Sequence, residues 1–93
     1  MTTITLIGKP ECHLCDVARE VTAQVIAELP DAVAEQIEVR EASISEDPAL
    51  FELWWEKIPV VLIDDQLHAH WRLNPERLRS ALLQANQNQN PTR

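Results

Sequence analysis

Apolar and polar residues follow two different periods along this chain, and the changeovers mark its elements. Residues 2–7 (Thr-Thr-Ile-Thr-Leu-Ile) are β-branched or apolar and are bounded by Gly8 and Pro10, which predicts a short buried strand. From Leu14 the spacing changes: Leu14, Val17, Ala18, Val21, Val25 and Leu29 form the i, i+3, i+4, i+7 face of an amphipathic helix. Pro30-Asp31 marks a turn, residues 32–36 are ambiguous, and Ile37-Glu38-Val39-Arg40 alternates as a half-exposed edge strand does. Asp47-Pro48 joins a capping residue to a proline at the first helical position, ahead of an apolar helix face in residues 50–55. Trp54 and Trp55 there point about 100° apart, so at least one is expected in the core.

Lys57-Ile58-Pro59 breaks that helix. Val60-Val61-Leu62-Ile63 reads as a buried strand, Asp64-Asp65-Gln66 as a turn, and residues 67–71 alternate again, completing an antiparallel hairpin with His68 and His70 on one face. Asn74-Pro75 repeats the cap, and Leu78, Ala81, Leu82 and Ala85 form one face of a final helix. The order β-α-β-α-β-β-α predicts an α/β fold. Its first two strands should be parallel, joined by a right-handed crossover, and the hairpin should add antiparallel strands to make a mixed four-stranded sheet with helices on both faces. One domain over residues 1–85 is expected, followed by a flexible tail at 86–93.

Composition narrows the setting. A chain of 93 residues, 45% hydrophobic, makes one small domain with little core to spare. No apolar run reaches the ~18 residues of a membrane span. The strand pattern begins at residue 2, leaving no room for a signal peptide, so a cytoplasmic protein is expected. Fifteen acidic and eight basic residues give a net charge of −7, which sets aside nucleic acids and anionic membranes as partners.

The candidate chemistry sits where strand gives way to helix. Gly8-Lys9-Pro10-Glu11-Cys12-His13-Leu14-Cys15 holds the only glycine and both cysteines, spaced C-x-x-C. Cys12 falls at or just before the first helical turn, where unpaired N–H groups and the helix dipole favour a thiolate, the reactive form of the side chain. Cys15 lies one turn on, on the same side, within reach of a small disulfide loop. Cys12 is expected to be the exposed attacking residue and Cys15 the shielded resolving one.

The element order, a C-x-x-C after the first strand and Ile58-Pro59-Val60 at the start of the third strand together resemble the thioredoxin superfamily. Within it the chain is most similar to a minimal glutaredoxin-like protein, over roughly residues 2–85. The resemblance implies a thioredoxin-like fold and thiol–disulfide oxidoreduction: Cys12 attacks a disulfide, Cys15 resolves the mixed disulfide, and a cellular reductant resets the pair. It also implies a cis peptide at Ile58-Pro59 packed against the cysteines, with the Ile58 N–H and C=O free to pair with an extended substrate. Lys9 is a candidate for a substrate carboxylate. His13 reads either as a cation favouring the Cys12 thiolate or as a solvated first-turn residue. Glu11 opposes a second negative charge beside Cys12, and Lys9 favours one.

The chain departs from the family at its middle dipeptide, His13-Leu14, where glutaredoxins carry Pro-Tyr. It also lacks the Gly-Gly-x-Asp stretch that helps hold glutathione; the matching residues read Trp71-Arg72-Leu73-Asn74-Pro75. No resident cofactor is expected, and the reductant stays open among glutathione, another small thiol and a flavoprotein reductase. The expected partner is a disulfide-containing protein or a small-thiol mixed disulfide, met by a monomer. The rival reading is a metal-binding module without redox turnover. Either Cys12, Cys15, His68 and His70 bind zinc, or two subunits share an iron–sulfur cluster. Against zinc, the hairpin's second strand should lie at the sheet edge, away from the Cys12 end of the first strand.

Overall fold

The computed structural model describes residues 2–88. Strand β1 (Thr2–Gly8) feeds helix α1 (His13–Glu28) and a short helix α2 (Asp31–Ala34), which resolves the ambiguous residues 32–36. Strand β2 (Ile37–Ser43), helix α3 (Pro48–Trp54), strands β3 (Val60–Ile63) and β4 (Gln66–His70), and helix α4 (Pro75–Asn88) complete the chain. The sheet order is β2-β1-β3-β4, with β2 parallel to β1 and the other neighbours antiparallel.

Alternation in the two central strands explains why both faces are covered. Successive side chains of a strand point to opposite sides. Ile4 and Leu6 of β1 and Val61 of β3 pack with Val25 and Leu29 at the end of α1 and with Leu78 and Leu82 of α4. Ile7 and Val60 point the other way, onto Ile44, Leu50 and Trp54. The sheet is thus sandwiched between α1 with α4 on one face and α3 on the other. Asp47 and Asn74 cap α3 and α4 as their sequence suggests, accepting the N–H groups of Ala49 and of Glu76 and Arg77 at 2.9–3.0 Å. Trp54 packs inward, and Trp55 lies exposed with its ring stacked on that of Phe51. Helix α4 runs to Asn88, three residues past the expected boundary at 85; residues 89–93 of the expected tail lie outside the described residues.

Two local expectations give way to packing. The inward face of α1 is Cys15, Ala18, Thr22, Val25 and Leu29, so it is turned from the face the apolar residues predict, and Leu14 and Val17 are 53% and 40% exposed. The start of α1 rides close over β1, where only small side chains fit, and the buried Thr22 hydroxyl is satisfied by the Ala18 carbonyl at 2.8 Å.

The hairpin supplies the second. Asp64 and Asp65 both have positive φ, 52° and 68°, the backbone of a tight primed turn. Pairing then slips: Val61 faces Ala69 but Leu62 faces Leu67, so His68 is the extra residue of a bulge. The slip separates the two histidines. His68 turns toward α4 and lines a surface cavity with Asn74, Glu76, Arg77 and Ser80, whereas His70 pairs opposite Val60 and its ring meets Trp71 edge-on.

Burial first, and the Arg77 charge next, push the His68 pKa below its ordinary 6.5. The sign follows by linkage: as pH falls through 6.5 the unfolded chain takes up a proton that the folded chain refuses, so stability is lost on acidification. In His68→Gln, thermal melts between pH 7 and pH 5.5 should show a shallower loss of Tm than the parent. An identical slope would contradict this.

Candidate active site

The loop after β1 is built to bring two sulfurs together. Glu11 takes a left-handed backbone, φ 58°, turning the chain into α1. Cys12 is the N-cap, with extended φ −112° and ψ 110°. Its Sγ accepts the Cys15 N–H at 3.2 Å, and its carbonyl takes the first helical bond, from Asp16 N–H at 3.0 Å. One of the orphan donors of the helix start therefore points at the Cys12 sulfur, which favours negative charge there. The Cα atoms of Cys12 and Cys15 are 5.2 Å apart and their sulfurs stand at disulfide-bonding distance. Cys12 is half-buried and Cys15 is 7% exposed.

Gly8 makes this packing possible. A Cβ on Gly8 would lie 2.7 Å from Cys15 Sγ and 3.1 Å from Cys15 Cβ, and Gly8 does not have a positive φ. The position needs glycine for space alone. The sequence marks Gly8 as the end of a strand and as the sole glycine of the chain, but not its contact with Cys15.

Pro59 is buried and lines the same cavity as Cys15, the Ile58–Pro59 peptide is cis, and Ile58 is half-buried. Among the described residues the Ile58 N–H and C=O make no backbone hydrogen bond, whereas the carbonyls on either side, of Lys57 and Pro59, both accept from Trp71 N–H at 3.3 and 2.9 Å. Trp71 also donates its indole N–H to the Glu56 carbonyl at 2.8 Å and so ties this loop to the end of β4. Nothing in the apolar pattern marked Trp71 for that part.

Lys9 and His13 are exposed on either side of Cys12 in the chain, and neither side chain forms a hydrogen bond or ion pair among the described residues. Arg19, one turn beyond Cys15, pairs with Glu41 of β2 at 3.1 Å and with Asp16 at 2.9 Å, and these bonds, Glu41 first, raise its pKa further. Sequence reading missed this group because its partners come from different elements.

The zinc reading has nothing to rest on. Among the described residues no group of three or more His, Cys, Asp or Glu could hold a metal ion. The bulge at His68 parts it from His70, so the two histidines do not present a ligand pair. One expectation behind that comparison also needs correcting. Strand β4 is at the sheet edge, but its His70 end lies at the same end of the sheet as Gly8, through the register Ile7–Val60–His70. No helix among the described residues is long and apolar enough to cross a membrane.

Residues 3–83 match the profile of a glutaredoxin-like domain (DUF836). An uncharacterized protein of Mycobacterium tuberculosis is 29% identical over 77 residues, 83% of this chain and 78% of that protein, and one of Mycobacterium bovis matches equally. The X-ray structure of target protein XcR50 from X. campestris superposes with a TM-score of 0.68 at 28% identity, over 87% of this chain and 96% of that one. The oxidized form of mitochondrial thioredoxin 3 of Saccharomyces cerevisiae shares the fold, with a TM-score of 0.60 at 17% identity over 89% and 77% of the two chains.

Proposed function

The chain belongs to the family of glutaredoxin-like domains (DUF836), with a thioredoxin-like fold and a C-x-x-C pair at disulfide distance, and on that footing we propose that it is a small thiol–disulfide oxidoreductase. The observation that carries the reading is the asymmetry of the pair: Cys12 at the helix start, its sulfur receiving a backbone N–H, and Cys15 buried behind it. A thiolate is stabilised at the first position and shielded from competing disulfides at the second.

In the forward reaction Cys12 thiolate attacks one sulfur of a substrate disulfide, and the other leaves as a thiolate. Cys15 then attacks the Cys12 sulfur, releasing the second substrate thiol and closing the Cys12–Cys15 bond, so two electrons pass to the substrate. An extended substrate segment would pair with the unoccupied Ile58 N–H and C=O beside Pro59, which holds its disulfide against Cys12. The substrate is a disulfide-containing protein or small mixed disulfide, and the reducing cytoplasm is the compartment this chemistry fits.

Trapping tests the proposal. A Cys15→Ser protein mixed with a disulfide substrate should accumulate a mixed disulfide on Cys12, seen as a mass increase that dithiothreitol removes. No adduct under conditions where the parent turns over would refute the two-cysteine route.

A further inference from the structure

Strand β2 stands at one end of the sheet order β2-β1-β3-β4, so one of its sides faces no strand among the described residues. The hydrogen bonds at its two ends fix which residues face that way. Gln36 C=O accepts from Thr2 N–H and Ile44 N–H donates to Gly8 C=O, at 2.7 and 2.9 Å. Main-chain groups alternate in direction along a strand. Glu38, Arg40 and Ala42 therefore bond to β1, while the N–H and C=O of Ile37, Val39 and Glu41 point outward. Such a row is a template for another strand unless something blunts it. Residues 37–43 hold no proline or lysine and no register shift against β1, and residues 38–41 are all exposed. The opposite edge, β4, is shorter and bulged at His68.

The charges of β2 choose a partner for this edge. When two copies of the strand pair antiparallel about a two-fold axis, outward-facing groups must meet outward-facing groups, so the axis passes through a single residue position. Centring on Glu38 or Glu41 sets two glutamates face to face, and centring on Arg40 sets two arginines; like charges directly opposite are unfavourable. Positions nearer either end pair fewer residues. Centring on Val39 sets that exposed apolar side chain against its own copy and places Glu38 of each chain opposite Arg40 of the other. Val39, and Ile37 with Glu41, then exchange main-chain hydrogen bonds. Glu38 and Arg40 fall at the non-hydrogen-bonded positions, where side chains approach most closely. Within one chain Arg40 already pairs with Glu38 at 3.1 Å, so joining two copies makes a ring of four alternating charges.

We propose that this chain forms a two-fold dimer through the β2 edge, in register on Val39, in place of the monomer expected from the sequence. Two four-stranded sheets become one continuous sheet. The pairing stops at two copies, because the edges left over are the short, bulged β4 strands. Gly8 and the cysteine loop lie at the Ser43 end of β2, so the two disulfides sit at opposite ends of the shared sheet.

Sedimentation equilibrium of the full chain over a range of concentrations tests this. The seam is short, so the parent should pass from monomer to dimer with a dissociation constant on the order of 10–100 μM. Arg40→Glu and Glu38→Arg each place like charges at both cross-strand contacts, and each should weaken association by at least about tenfold. Glu38→Arg also lowers the net negative charge, so general repulsion between acidic chains predicts the opposite for that variant. The double variant Glu38→Arg/Arg40→Glu should associate as the parent does. An equimolar mixture of the two single variants should also recover the dimer, since every contact there again joins opposite charges. Both residues are exposed, so folding is not at risk. A parent that stays monomeric up to about 1 mM would overturn the proposal. So would a dimer that ignores both reversals, or one that the mixture fails to restore.

Discussion

Cys12→Ser is expected to lower disulfide-reducing turnover by at least about a thousandfold, as loss of a nucleophile does elsewhere. A serine hydroxyl stays protonated at neutral pH where the thiol at a helix start is readily ionised. The substitution separates chemistry from folding unusually well. Cys12 is the N-cap of α1, its side chain accepting the Cys15 N–H. Serine is among the best N-cap residues and keeps that acceptor, so the variant should melt within about 1 kcal/mol of the reduced parent. Turnover measured on a small-molecule disulfide, with melts of both proteins in reductant, checks the two halves. Retained activity would place the nucleophile elsewhere, and a large loss of stability would mean that the cap and not the thiolate had been removed.

Gly8→Ala should lower stability by roughly 1–3 kcal/mol, the usual penalty for forcing an extra methyl into a filled site. For a domain of this size that is a Tm fall of roughly 5–20 °C. The reason is local: the new Cβ would stand 2.7 Å from Cys15 Sγ, and β1 has no freedom to retreat because it is paired on both sides. Reduction frees Cys15 to turn its sulfur away, so the fall should be larger in the oxidised protein than in the reduced one. Calorimetry of both forms measures it. Equal melting of variant and parent in both forms would mean that the helix shifts without penalty.

These two positions also show how far sequence reading reaches. Elements defined by local chemistry were legible: the caps at Asp47 and Asn74, the turn at Asp64-Asp65, and the buried apolar runs that form β1 and β3. The position of Cys12 at the start of α1 was legible for the same reason. What stayed hidden depends on residues far apart in the chain. Leu14 and Val17 fit a helical period, yet the close approach of α1 to β1 selects the smaller Cys15, Ala18 and Thr22 for the interior. His68 and His70 fit a strand period, yet a one-residue slip against β3 puts them on different faces. The cavity beside Cys15 draws Lys9, Arg19 and Glu46 from three separate segments, and no spacing rule joins those.

The central claim, that Cys12 and Cys15 form a working redox pair, is tested most directly by titrating them. The protein is equilibrated in glutathione buffers of defined potential, its free thiols are alkylated, and the added labels are counted by mass. The expected result is two labels lost together, at a midpoint between about −180 and −270 mV, where dithiol oxidoreductases work. Labels that do not change across that range, or that appear only after a chelator is added, would contradict it.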